Sequence, residues 1–177
     1  QHGHRRHEHP HADRLRDRAF KVVLDYSYGA ASLVMPAVLA KVGAEVLAVN
    51  PFAATRATLE GPRERNERVS RIGDLVRASA SDLGMIIDPD GETGTLVDDA
   101  GHALDAEEAL LALLTLVVEA RPGSRVALPV SVSRQAEKIA DAHGAQIVWT
   151  KLSAAHLMEV ASRKDVDFAA SQETGFI

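Results

Sequence analysis

Ser81-Asp82-Leu83-Gly84-Met85-Ile86-Ile87-Asp88-Pro89-Asp90-Gly91-Glu92-Thr93-Gly94-Thr95-Leu96-Val97-Asp98-Asp99 carries a short apolar run that ends in closely spaced carboxylates. Leu83 to Ile87 is too short for a typical helix and is bounded by turn signals, so it reads as a buried strand of an α/β sheet. Beyond it, Asp88, Asp90 and Glu92 alternate along a tight loop, with Pro89 limiting the backbone and Gly91 permitting a sharp turn. Two readings follow from the spacing. An ordinary acidic surface turn has this composition; so does an oxygen-rich site for a hard divalent cation such as magnesium, which takes few protein ligands and prefers phosphate oxygens and water for the rest.

Upstream, Lys21 to Leu24 is a nearly continuous apolar run, as expected of a central strand buried on both faces. The turn at Gly29 leads into an expected amphipathic helix with Leu33, Val34, Val38, Leu39 and Val42 at helical spacing, stopped by Gly43. A second strand at Glu45 to Val49 completes a βαβ unit with a right-handed crossover. Tyr28-Gly29-Ala30-Ala31-Ser32 lacks both the GxGxxG spacing and the lysine of a phosphate-binding loop, so it is a structural turn. Asn50 to Pro62 reads as a surface loop. The following helix, Arg63 to Ser79, has Val69, Ile72, Leu75 and Val76 on one stripe and arginines on a solvated face.

Downstream, Thr95 to Val97 and Ala103-Leu104 flank a turn with His102 near its tip. Asp105 caps a Leu- and Ala-rich helix, Glu107 and Glu108 suit its first turn, and Arg121-Pro122-Gly123 breaks it. The βαβ grammar then repeats: strand Arg125 to Pro129, helix Val132 to Ala142, strand Gln146 to Thr150, helix Ser153 to Ser162, strand Val166 to Ala170. Gln1 to His11 holds five of the eight histidines, as a mobile lead-in would, although alternating imidazoles can chelate a transition metal.

Composition sets outer limits. A chain of 177 residues with 46% hydrophobic and 25% charged residues describes one ordinary globular domain or two small ones. Net charge of −5 gives no electrostatic reason to expect nucleic acid. Without cysteine there are no disulfides and no thiol chemistry, which fits a cytoplasmic protein. Apolar segments stop short of the roughly 20 residues of a membrane span, and no secretory signal precedes them, so no membrane partner is expected.

The acidic loop resembles the Asp-Pro-Asp-Gly-Asp-Arg metal loop of the α-D-phosphohexomutase family, which includes phosphomannomutases and phosphoglucomutases. Phe20-Lys21-Val22-Val23-Leu24-Asp25, Tyr28 to Ser32 and Val42-Gly43-Ala44-Glu45-Val46-Leu47 are similar to the opening of that family's second domain. The resemblance implies two consecutive small three-layer α/β domains with mixed, mostly parallel sheets: a lead-in over 1–17, a metal-loop domain over 18–120 and an incomplete sugar-recognition domain over 121–177. It further implies Asp88, Asp90 and Glu92 as ligands of Mg2+, Thr93 in place of the family's Arg, and a hexose phosphate as ligand. Ala170-Ser171-Gln172-Glu173-Thr174-Gly175-Phe176 resembles the family's Gly-Gly-Glu-x-Ser-Gly-His loop, with Gln172 where the sugar-contacting Glu stands and Thr174 where the Ser stands.

The departures bear on chemistry. Glu92 is one methylene longer than the family's Asp, Thr93 offers no bidentate grip on phosphate, and Ser153-Ala154-Ala155 stands where a Gly-Asp-Lys segment supplies a cation. The family's phosphoserine and its fourth domain have no counterpart in these residues. Phosphoryl transfer rests on positioning and charge neutralisation, so this chain alone is expected to be inactive. Asp25-Tyr26-Ser27-Tyr28-Gly29-Ala30-Ala31-Ser32 and Val49-Asn50-Pro51-Phe52 look like the phosphomannomutase-like region fused behind a nucleotidyltransferase domain in bacterial mannose-1-phosphate guanylyltransferases, which implies flanking domains in a longer polypeptide. Two readings remain open: a non-catalytic module that binds a sugar phosphate or serves as a scaffold, and the metal- and substrate-binding part of an active mutase.

Overall fold

A computed structural model describes residues 20–54, 61–173 and 175–176. The His-rich lead-in and Thr174 lie outside the described residues. The chain divides into two compact units, Gln1–Ala103 and Leu104–Ile177.

In the first unit, β1 (Lys21–Asp25) pairs in parallel with β2 (Glu45–Val49) and with β3 (Leu83–Ile87), and β4 (Gly94–Val97) closes the sheet antiparallel to β3. The spatial order is β2-β1-β3-β4. Alternate strand residues point to opposite faces, so the continuous run in β1 is explained by two separate cores. Val23 packs with Ile86, Val97, Ile72 and Val76, the last two from α2 (Pro62–Ser79). Val22, Leu24, Tyr26 and Ile87 pack on the other face with Met35 and Leu39 of α1 (Ala31–Lys41). The result is helix, sheet, helix in three layers.

The stripe expected on α1 does not form one face. Leu39 packs on the core with Ala31 and Met35, while Leu33 (75%), Val34 (62%) and Val38 (46%) are exposed. The helix is apolar almost all round, so periodicity alone did not select its buried side. Burial pushes the Tyr26 phenol above its ordinary value. Its stability contribution is complete below the unfolded value of about 10 and is lost as pH rises through the higher folded value. Tyr26→Phe is therefore expected to flatten the alkaline fall in stability of this unit, measured as denaturation midpoints by circular dichroism on either side of about pH 10.

The second unit begins with α3 (Ala106–Ala120) and repeats the strand order as β6-β5-β7-β8. Here β5 (Arg125–Pro129) pairs in parallel with β6 (Gln146–Thr150) and β7 (Phe168–Ser171), and β8 (Gly175–Phe176) is antiparallel to β7. Leu110, Leu114 and Val118 of α3 share one core with Val126 and Leu128 of β5 and with Ala136 and Ala140 of α4 (Gln135–Ala142). Leu157 and Val160 of α5 (Ala154–Ala161) cover the other face against Ala127 and Ala169. Asp105 caps α3 as expected, accepting from the backbone N–H groups of Glu107 (2.9 Å) and Glu108 (2.8 Å).

The division into compact units does not coincide with the domain boundary expected between residues 120 and 121. It falls between Ala103 and Leu104, ahead of α3, because the apolar stripe of that helix is buried in the second unit's core. A Pro-Gly break ends a helix; it does not say which sheet the helix covers.

Candidate functional site

Two groups of side chains lie at the carboxyl ends of parallel strands, where ligands of open α/β sheets bind. In the first unit, the end of β1 places Asp25 at 1% exposure. Its Oδ1 accepts from the Ser27 N–H (2.8 Å) and from Asn50 Nδ2 beyond β2 (2.9 Å). Its Oδ2 is buried with no hydrogen-bond partner among the described residues. The chain leaves both strands under strain: Ser27, Tyr28 and Asn50 all have left-handed φ, at 48°, 58° and 48°.

The acidic loop packs against this turn. A Cβ on Gly29 would stand 2.7 Å from the Pro89 carbonyl oxygen and 2.8 Å from its Cα, so only glycine permits the approach. Within the loop, the Gly91 N–H donates to the Asp88 carbonyl (2.8 Å) and the Asp88 N–H to the Thr93 carbonyl (3.0 Å). Gly91 takes the φ of +77° that the sequence led us to expect.

The loop's side chains are engaged locally. Thr93 Oγ1 donates to Asp88 Oδ2, and Asp90 Oδ1 accepts from the Glu92 N–H at 3.0 Å. Asp90 and Glu92 are exposed. The expected gathering of Asp88, Asp90 and Glu92 is not formed: among the described residues, no three His, Cys, Asp or Glu side chains make a group that could hold a metal ion. The physical reason is the turn itself, which spends one oxygen of Asp90 on its own backbone and one of Asp88 on Thr93.

The other oxygen of Asp88 faces a cation already present in the chain. Arg68, from the middle of α2, holds Nη2 3.8 Å from Asp88 Oδ1, with 12% and 20% of the two side chains exposed. Its Nη1 donates to Ser27 Oγ. Arg68 is thus turned inward and departs from the solvated face expected for the arginines of this helix; Arg63, Arg65 and Arg71 are exposed as expected. A divalent ion about 4 Å from this guanidinium would meet repulsion on the order of 8 kcal/mol at an effective dielectric near 20. Mg2+ also requires nearly octahedral oxygen coordination at close range. The donor set as arranged does not fit it.

Sequence reasoning missed Arg68, Asp25 and Asn50. Arg68 sits among other arginines and nothing local distinguishes it. Asp25, directly after a doubly buried apolar run, was the available signal.

The second unit has a cavity of about 260 Å³ at the carboxyl ends of β5, β6 and β7. Ser131, Ser153, Ser171, Gln172 and Glu173 supply its polar lining, and Leu152 and Leu157 part of its apolar wall. Gln172, expected from sequence to contact a sugar, lines it and also donates through Nε2 to Glu107 Oε2 (3.2 Å). Ser153 caps α5, accepting from the His156 N–H at 3.4 Å, so the start of that helix opens on the cavity. Among the described residues, the lining contains no Lys or Arg. Serines, an amide and a carboxylate suit the hydroxyl groups of a small polyol better than an anionic group. His102 is exposed, with Nδ1 3.6 Å from Asp98 Oδ2 in the same turn.

Comparison with known proteins adds to this geometry. Residues 4–101 match the family model described as phosphoglucomutase/phosphomannomutase, alpha/beta/alpha domain II. A phosphopentomutase of Thermococcus kodakarensis is 29% identical over 136 residues, 77% of this chain and 30% of its own length. A phosphomannomutase/phosphoglucomutase of Pseudomonas syringae pv. tomato is 25% identical over 163 residues, 90% of this chain and 34% of its own. The crystal structure of a phosphoglucomutase/phosphomannomutase family protein from Burkholderia thailandensis superposes with a TM-score of 0.73 over 93% of this chain and 38% of that one, at 16% identity, a likeness of fold. The chain spans about a third of the length of these relatives.

Proposed function

We propose, from the premise that this chain belongs to the phosphoglucomutase/phosphomannomutase family, that it is a non-catalytic member module which binds a hexose phosphate through its second unit. The observation that carries this reading is the pairing of two states in one chain: a hydroxyl-lined cavity that keeps Gln172 in its wall, and an acidic loop whose carboxylates are engaged by their own turn and by Arg68. The first supports binding. The second argues against the metal-assisted phosphoryl transfer usual in the family, because Arg68, the cation facing the loop, is already committed to Asp88 and Ser27 and so is not directed at a phosphate in flight.

Among the described residues the cavity lining carries no cation, so the sugar ring is its occupant, and the phosphate would be held by other parts of a longer polypeptide. By its resemblance at Asp25 to Ser32 and Val49 to Phe52, we take that polypeptide to be of the mannose-1-phosphate guanylyltransferase type, in sugar-nucleotide metabolism. By the same resemblance, Thr174, which lies outside the described residues, would be a second sugar contact.

Titration calorimetry tests the reading. Glucose 1-phosphate or mannose 1-phosphate, added with EDTA present, is expected to bind saturably, and Gln172→Ala to weaken binding by about tenfold through loss of one or two hydrogen bonds. Heat equal to dilution for both sugars would leave only a scaffold role.

A further inference from the structure

We infer that Arg68 is a built-in counter-ion that takes the place of a metal ion at the acidic loop, so that the loop is held in shape without any divalent cation. The inference deepens the functional reading above by naming the residue that makes its first unit independent of metal. It rests on four contacts of this structure. Arg68 reaches Asp88 Oδ1 through one terminal nitrogen and Ser27 Oγ through the other, so the guanidinium bridges the β1 turn and the acidic loop. Ser27 is itself fixed through its N–H on buried Asp25. Asp88 Oδ2 is capped by Thr93.

A bound metal and a guanidinium do the same electrostatic work here, but not the same geometric work. A metal draws several carboxylates to one centre within a short radius. A planar guanidinium offers fixed N–H directions and needs only one carboxylate. The observed loop follows the second pattern: one carboxylate is turned inward on Arg68, and Asp90 and Glu92 are left exposed. With 12% of its side chain exposed and both terminal nitrogens engaged, Arg68 cannot yield its position to an ion without breaking the bridge to Ser27.

Mn2+ alone is the probe, added to the full chain and followed by the loss of its free-ion paramagnetic resonance signal. The wild-type chain is expected to show no saturable binding that Asp88→Asn removes, which separates the acidic loop from the histidines of the lead-in. Arg68→Gln, which keeps a polar side chain of moderate length but removes the charge, is expected to gain binding at least about tenfold tighter than any residual wild-type affinity, because the repulsion is gone. Adding Asp88→Asn to it should abolish the gain, and Arg68→Lys, which retains the charge, should bind no better than wild type. Far-UV circular dichroism on each variant verifies that the unit is folded. Saturable wild-type binding that Asp88→Asn removes overturns the inference; so does a folded Arg68→Gln chain that binds no Mn2+. Because no sugar enters this measurement, its outcome is separate from that of the hexose phosphate titration.

Discussion

Leu114→Ala is expected to lower the stability of the second unit by about 2–5 kcal/mol, the range for deleting a fully buried leucine and leaving a cavity. Leu114 is 0% exposed and packs with Val126, Leu128 and Ala136, so its removal opens the centre of the core beneath β5. Trp149 is the only tryptophan and packs against the same core, which makes its fluorescence a local reporter of unfolding. Two controls define the outcome. Leu116→Ala on the outer face of the same helix, 60% exposed, should change stability by no more than about 0.5 kcal/mol. A fragment of residues 121–177 should fail to give a cooperative transition, whereas 104–177 should retain one. If Leu114→Ala left the Trp149 transition unmoved, α3 would belong elsewhere and the boundary drawn at Ala103/Leu104 would be wrong.

The second large effect is expected at Gly73. Glycine in the middle of an 18-residue helix costs about 1 kcal/mol relative to alanine, so propensity alone argues for replacing it. The tertiary contact argues the other way: a Cβ on Gly73 would lie 2.3 Å from the carbonyl oxygen of Gly101, where α2 crosses the turn after β4. Gly101 cannot simply move aside, since it holds φ at +83° and its own Cβ position would meet Gly73 and Arg77. Gly73→Val is therefore expected to destabilise the first unit by about 2–3 kcal/mol through overpacking. Gly73→Ala should also be destabilising despite its better propensity, as urea denaturation followed at 222 nm would show. A stabilising Gly73→Ala would mean that helix and turn are further apart than described.

These two residues mark what the sequence disclosed and what it withheld. The strands were legible because they are apolar runs of strand length bounded by Gly, Pro and Asp, and their buried, parallel character followed from the absence of alternation in Val22 to Leu24. The cap at Asp105 was legible for the same local reason. Features set by contact across the chain were not. The side of α1 that is buried, the sheet that α3 covers and the reason for Gly73 depend on partners that only the fold brings together, and local pattern carries no record of them. The candidate site divides in the same way. Asp88, Asp90, Glu92 and Gln172 stood out by type and spacing, yet the inward turn of Arg68 from among several arginines is a fact of packing alone.

If the second unit binds a hexose phosphate as proposed, that binding owes nothing to a metal at the acidic loop. Glucose 1,6-bisphosphate titrated calorimetrically into the chain, once with magnesium and once with EDTA, tests it most directly. Superimposable isotherms, unchanged by Asp90→Ala, are expected. Binding that appears only with magnesium and disappears in Asp90→Ala would contradict it and return the chain to the metal-assisted chemistry of its family.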